Sequence, residues 1–173
     1  MNNSATSGPS AGPMGPAQTG TTTTPSATPS LDPSSVAGLQ GALAGEHAAV
    51  WAYGVLGPRL DEAGRARVRS LLDTHEKARE AIRARVVGSG AAPVLAEPAY
   101  ALPVTPTDPG TAAGLAMIVE ERLVAVYAEL VAATASAELR AVAVDAMRDG
   151  ALRALSWGPI GTVFPGLPER SGG

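Results

Sequence analysis

The chain has no cysteine and, among its 173 residues, only one phenylalanine, two tryptophans and three tyrosines. The missing thiols exclude disulfides, thiolate zinc sites, iron–sulfur clusters and cysteine nucleophiles. Aromatics at 3% leave a core of small and branched aliphatic side chains, which packed helices build most readily. A basic excess is also missing, because 13 Lys and Arg face 16 Asp and Glu for a net charge of -3. A nucleic-acid surface must neutralise phosphates with cations, so no nucleic-acid partner is expected. Twelve of the basic residues are Arg and one is Lys77, a bias we assign to a high-GC genome rather than to function. No glycine-rich loop precedes a lysine in the manner of a phosphate cradle. The two histidines, His47 and His75, lack the strand–turn–helix setting of a nucleophile elbow.

What the chain does have is unevenly spread. Residues 1–35 are almost entirely Ser, Thr, Pro, Gly and Ala, with Asp32 as their only charge. Such a segment buries too little apolar surface to offset its ordering entropy, so it reads as a disordered tail. It carries neither the positive start nor the apolar stretch of a secretory signal. Residues 36–170 read as one folded domain. Two of its helical segments are apolar, but Glu46 lies in the middle of the first and Glu120, Glu121 and Arg122 in the middle of the other. Charges there are costly in lipid. No membrane span is therefore expected, and the expected location is cytoplasmic.

Four helices are predicted. The first follows Asp32-Pro33-Ser34-Ser35, a capping cluster, and runs to about Leu56, where Gly57-Pro58 stops it. The second runs from about Asp61 to Val87. The third opens at Asp108-Pro109, with proline in its first turn, and runs to about Ala133. The fourth runs from near Ser136 to about Trp157. Short turns join the first pair and the last pair, so each pair reads as an antiparallel hairpin. Between them lies a proline-rich stretch of about twenty residues, Gly88 to Thr107, long enough to cross the outside of the bundle. Within it Tyr100, Leu102 and Val104 alternate as in an extended strap. Two hairpins joined by one long crossover define a ferritin-like four-helix bundle, all-α in class.

The hairpins are related by an offset of 74 residues, which pairs Glu46 with Glu120, Tyr53 with Tyr127, His75 with Asp149 and Arg79 with Arg153. Each helix also carries a polar group on its predicted buried stripe. The stripes are Val36, Leu39, Leu43, Glu46, Val50 and Tyr53 in the first helix, and Val68, Leu72, His75, Arg79, Ile82 and Val86 in the second. They continue as Ala113, Met117, Glu120, Val124, Tyr127 and Val131 in the third, and Val142, Ala146, Asp149, Arg153 and Ser156 in the fourth. A buried network of Glu46, Tyr53, His75, Arg79, Glu120, Tyr127, Asp149 and Arg153 is the expected result.

Buried charge is costly unless it is paired or bound to metal. One reading is structural: arginines pair with carboxylates, tyrosines donate to them, and the network fixes register. The other is a di-iron or di-manganese carboxylate site with Glu46, Glu120, His75 and Asp149 as ligands, and His47 and Glu121 as further donors beside the two core glutamates. Such a site uses one Glu from each of two helices and Glu-x-x-His from each of the others. Three residues after His75 stands Ala78, and three after Asp149 stands Leu152, so both Glu-x-x-His elements are missing. A third reading is a helical interaction module that forms a homodimer through alanine-rich faces. A small-molecule ligand, if there is one, is left unnamed by the sequence.

Three segments carry a resemblance: Gly45-Glu46-His47-Ala48-Ala49-Val50-Trp51-Ala52-Tyr53-Gly54, Pro98-Ala99-Tyr100-Ala101-Leu102-Pro103 and Phe164-Pro165-Gly166-Leu167-Pro168-Glu169-Arg170. Together they resemble an uncharacterised ferritin-like domain family of high-GC bacteria, a domain of unknown function, over residues 36–170. The resemblance implies a ferritin-like bundle and no established activity. In the wider superfamily, di-iron and di-manganese centres serve iron storage and oxygen chemistry. Only Glu46 and Glu120 carry over as ligand-equivalent positions. Trp157, Phe164 and Leu167 are expected to cover the end of the bundle.

Overall fold

A computed structural model describes residues 31–158, with Gly8 alone before them. Most of the expected tail (residues 1–7 and 9–30), Phe164 and Leu167 lie outside the described residues, whereas residues 32–35, which composition assigns to the tail, cap and open the first helix. Helix α1 spans Pro33–Leu56, α2 Glu62–Gly88, α3 Pro109–Ala133 and α4 Ala137–Trp157, with a short 3-10 turn at Gly57–Arg59. Side-chain caps set the starts. Asp32 accepts from the Ser35 N–H at 2.9 Å, Asp61 from Gly64 at 2.8 Å and Ser136 from Leu139 at 3.3 Å. Asp108 accepts from Thr111 at 2.9 Å while the Thr111 hydroxyl accepts the Asp108 N–H at 3.0 Å, a reciprocal box. Proline occupies the first turn of α1 and of α3, where its missing N–H has no partner to lose.

The helices form two antiparallel hairpins, α1–α2 and α3–α4, with α1 packed on both α2 and α3. Glycines let α1 and α3 come close. A Cβ on Gly38 would stand 2.9 Å from Leu130 Cδ1, and one on Gly45 would stand 3.1 Å from Leu123 Cδ2. Early residues of α1 thus meet late residues of α3, so the two run antiparallel. The crossover must then travel the length of the bundle. It does so along α1: Gln40 holds Ala92 O at 2.7 Å and the Val94 N–H at 2.8 Å, and Trp51 lies 6.0 Å from the Tyr100 ring. Arg59 closes the far end on Pro106 O at 3.0 Å. Tyr100, Leu102 and Val104 are half-buried while Ala101, Pro103 and Thr105 face solvent, the predicted alternation.

Two apolar clusters fill the interior. One gathers Leu39, Leu43, Ile82, Val86, Leu130 and Leu139. The other gathers Tyr53, Leu56, Val68, Leu115 and Trp157, and places Trp157 at the bundle end as expected. Between the clusters lies a polar layer. Among the described residues no helix is long and apolar enough to cross a membrane.

A buried polar layer as candidate functional site

Glu46 and Tyr53 stand seven residues apart on one face of α1, and Glu120 and Tyr127 do the same on α3. Because these helices are antiparallel, each tyrosine meets the other hairpin's glutamate. Tyr53 donates to Glu120 Oε1 at 2.6 Å and Tyr127 donates to Glu46 Oε1 at 2.6 Å. The offset of 74 residues is therefore visible as a reciprocal pair of bonds.

His75, on α2, sits between the two carboxylates and is 1% exposed. Its Nδ1 lies 3.0 Å from Glu46 Oε2 and its Nε2 lies 3.1 Å from Glu120 Oε1. Burial alone would keep the imidazole neutral, but hydrogen bonds to Glu120 and Glu46 and their charges outweigh it and push its pKa up to about 9. At neutral pH it is an imidazolium, and both ring nitrogens donate. Arg153, on α4, donates from Nε to Glu120 Oε2 at 2.9 Å. Two carboxylates thus face one imidazolium and one guanidinium. Burial works to raise the Glu120 carboxyl, yet His75, Tyr53 and Arg153 together hold it below the usual carboxylate range. Burial and the neighbouring carboxylate charge raise both tyrosine hydroxyls far above their ordinary value, so they stay protonated as donors.

The chain of bonds continues beyond these residues. Trp157 Nε1 donates to the Tyr53 hydroxyl at 3.0 Å, and the Arg67 guanidinium lies 3.7 Å above the Trp157 ring while donating to Ser156. Tyr53 also packs against the His75 ring at 4.9 Å between centroids. Among the described residues no buried side-chain nitrogen or oxygen is left without a partner.

Six of the eight expected network residues come together: Glu46, Tyr53, His75, Glu120, Tyr127 and Arg153. Two do not, and the expectation is corrected for them. Asp149 is 51% exposed and pairs with Arg148 at 3.1 Å. Arg79 turns away to Glu80 at 3.0 Å. The cause for Asp149 is a one-residue shift of the α4 stripe. Leu139, Ala143, Gly150, Ala154 and Trp157 are the buried positions. A Cβ on Gly150 would stand 3.1 Å from Val124 Cγ2. A buried glycine adds nothing to an apolar pattern, so periodicity reads its neighbour instead. Trp157 enters the network as a donor that sequence reasoning assigned to packing alone. His47 lies outside the layer, 3.3 Å from Val94 O, and Glu121 is exposed.

A di-iron or di-manganese pair does not fit this donor set. Each carboxylate oxygen already accepts a proton donor, and two of those donors are cations. Among the described residues no group of three or more His, Asp or Glu side chains is arranged to hold a metal ion.

A four-helix bundle with a closed charged layer at mid-height is the class of protein these features define. Residues 38–169 match the family described as domain of unknown function (DUF4439), and the chain belongs to that family. A conserved hypothetical protein, rv2844, from Mycobacterium tuberculosis has a crystal structure that is similar. It is 26% identical, with a TM-score of 0.69 over 72% of this chain and 94% of that one. No curated protein matches the chain.

Proposed function

We propose that this chain is a ferritin-like domain in which an ion network stands where that architecture would carry its metal pair, and that the layer holds two hairpins in register without redox chemistry. The observation behind this reading is His75, with both ring nitrogens engaged by Glu46 and Glu120 between the hairpins. A metal ion would have to displace that imidazolium and draw Glu120 away from Arg153. The crossover along α1 and the antiparallel α1–α3 pair support the ferritin-like assignment. We place the folded unit at residues 36–170, extended at its start by the Asp32 cap and the first turn of α1, behind a Ser/Thr/Pro-rich tail, in the cytoplasm, acting as a non-catalytic bundle.

Elemental analysis of protein purified without chelator tests the reading. The expected result is iron and manganese well below one equivalent, with thermal stability unchanged by chelator. One or two equivalents of either metal, lost in Glu46→Ala, would overturn it. In the absence of metal, Glu46→Ala should still weaken unfolding cooperativity, because it leaves Glu120 as the one carboxylate between His75 and Arg153 and takes the acceptor from Tyr127.

A further inference from the structure

We propose that the recess between α1, α3 and the crossover strap is a binding site for a small aromatic carboxylate. The recess has a volume of about 220 Å³ and opens to solvent. Small residues of α1, Gly45, Ala48, Ala49 and Ala52, line it, with Tyr100 and Leu102 of the strap among the other lining residues. Leu123, Val119 and Val126 of α3 supply the opposite wall. An apolar cavity of roughly 150 Å³ is enough to hold benzene, so this one accommodates a fused ring or a ring with a short chain.

The wall chemistry selects the ligand. Trp51 and Tyr100 stand with ring centroids 6.0 Å apart and tilted by 56°, which offers aromatic faces to an aromatic guest. Tyr100 is held in place, because its hydroxyl accepts the Glu97 N–H at 3.0 Å. Arg122 is the one charged side chain in the lining. Among the described residues no carboxylate forms an ion pair with it. The Trp157 indole N–H is taken up by Tyr53, whereas that of Trp51 has no acceptor among the described residues. The lining is therefore apolar and aromatic with one cation that no carboxylate pairs among the described residues, and the complement is an aromatic ring bearing one anionic group. This site is separate from the polar layer and does not depend on the role proposed for it.

Calorimetric titration of the full chain with naphthalene-2-carboxylate, and with naphthalene-2-methanol as its neutral counterpart, provides the test. The carboxylate should bind at one site, about fivefold more tightly than the alcohol, the scale of an exposed ion pair. Arg122→Gln should abolish that preference, bringing the carboxylate's affinity to that of the alcohol. Ala48→Leu, which fills the recess, should abolish binding of both. Arg122 lies at an exposed position, so its variant keeps the test sound if Ala48→Leu fails to fold. Absence of saturable binding to the wild type would overturn the proposal. So would a carboxylate preference that survives Arg122→Gln, or a folded Ala48→Leu that binds as the wild type does. A concentration-dependent dimer dissociated by Ala48→Leu would also overturn it, giving the recess to a second copy of the chain.

Discussion

With its folded pKa raised to about 9 against an ordinary 6.5, His75 contributes stability that is complete below pH 6.5 and is lost as pH rises through 9. Glu120 works in the opposite direction. Its folded pKa is depressed, so its contribution is present above the ordinary 4.5 and lost as pH falls through the folded value. Stability should therefore be greatest between pH 4.5 and 6.5 and decline on both sides. Urea unfolding midpoints measured within that window and on both sides of it check it. His75→Gln should cost about 3–5 kcal/mol at pH 6, since it leaves two buried carboxylates short of a cation, and should remove the alkaline decline. An alkaline decline unchanged in the variant would assign that limb to another group. Tyr127→Phe should cost about 1.5–3 kcal/mol through one lost bond to a charged acceptor. Tyr53→Phe should cost more, because it also deprives Trp157 Nε1 of its acceptor. Glu46, His75 and Glu120 were legible in the sequence because each interrupts an apolar stripe, and Tyr53 and Tyr127 because they recur at the offset of 74 residues. Arg153 was read on a stripe one residue off the buried one and reaches Glu120 from beside the buried Ala154. Trp157 was not, since an indole reads as apolar whether or not its N–H is used.

At the scale of the helix, α1 and α3 are brought together by what they lack. Gly38→Ala would set a methyl group 2.9 Å from Leu130 Cδ1 and 3.2 Å from Leu130 Cα, the second of which is backbone and cannot yield cheaply. We expect destabilisation of about 1–3 kcal/mol, the cost of overpacking. Gly54→Ala, also within α1, meets nothing within 4 Å and should stabilise by about 0.5–1 kcal/mol through helix propensity. Opposite signs for one chemical change in one helix, read from thermal midpoints, separate packing from propensity. The helix limits were legible because caps and breakers act locally: Asp61, Asp108 and Ser136 mark starts whether or not a tertiary fold exists. The α4 stripe was less so. Asp149 and Gly150 are neighbours, and the choice between them depends on how closely α4 approaches Val124, a tertiary fact with no signature in the stripe itself.

Over the whole molecule, the layer joins four helices that are otherwise held by two apolar clusters, one on either side of it. Each hairpin serves only one oxygen of its own glutamate, Glu46 by His75 and Glu120 by Arg153, and the other oxygen depends on the tyrosine of the opposite hairpin, so neither hairpin should be stable alone. Fluorescence of Trp51 and Trp157 and far-UV circular dichroism should then report one coincident unfolding transition. Separate midpoints for the two probes would mean that the hairpins melt independently. The crossed tyrosine–glutamate bonds have a further consequence for how such a chain can vary. They have the form of an isologous interface, in which residue i of one half touches j of the other and j touches i. Two identical hairpins associating as separate molecules would have to present the same side chain to the glutamates from both sides. Joined in one chain, the halves are free to differ, and here one supplies the imidazolium of His75 while the other supplies the guanidinium of Arg153. The covalent link therefore permits a division of labour at the centre that a symmetric pair could not encode.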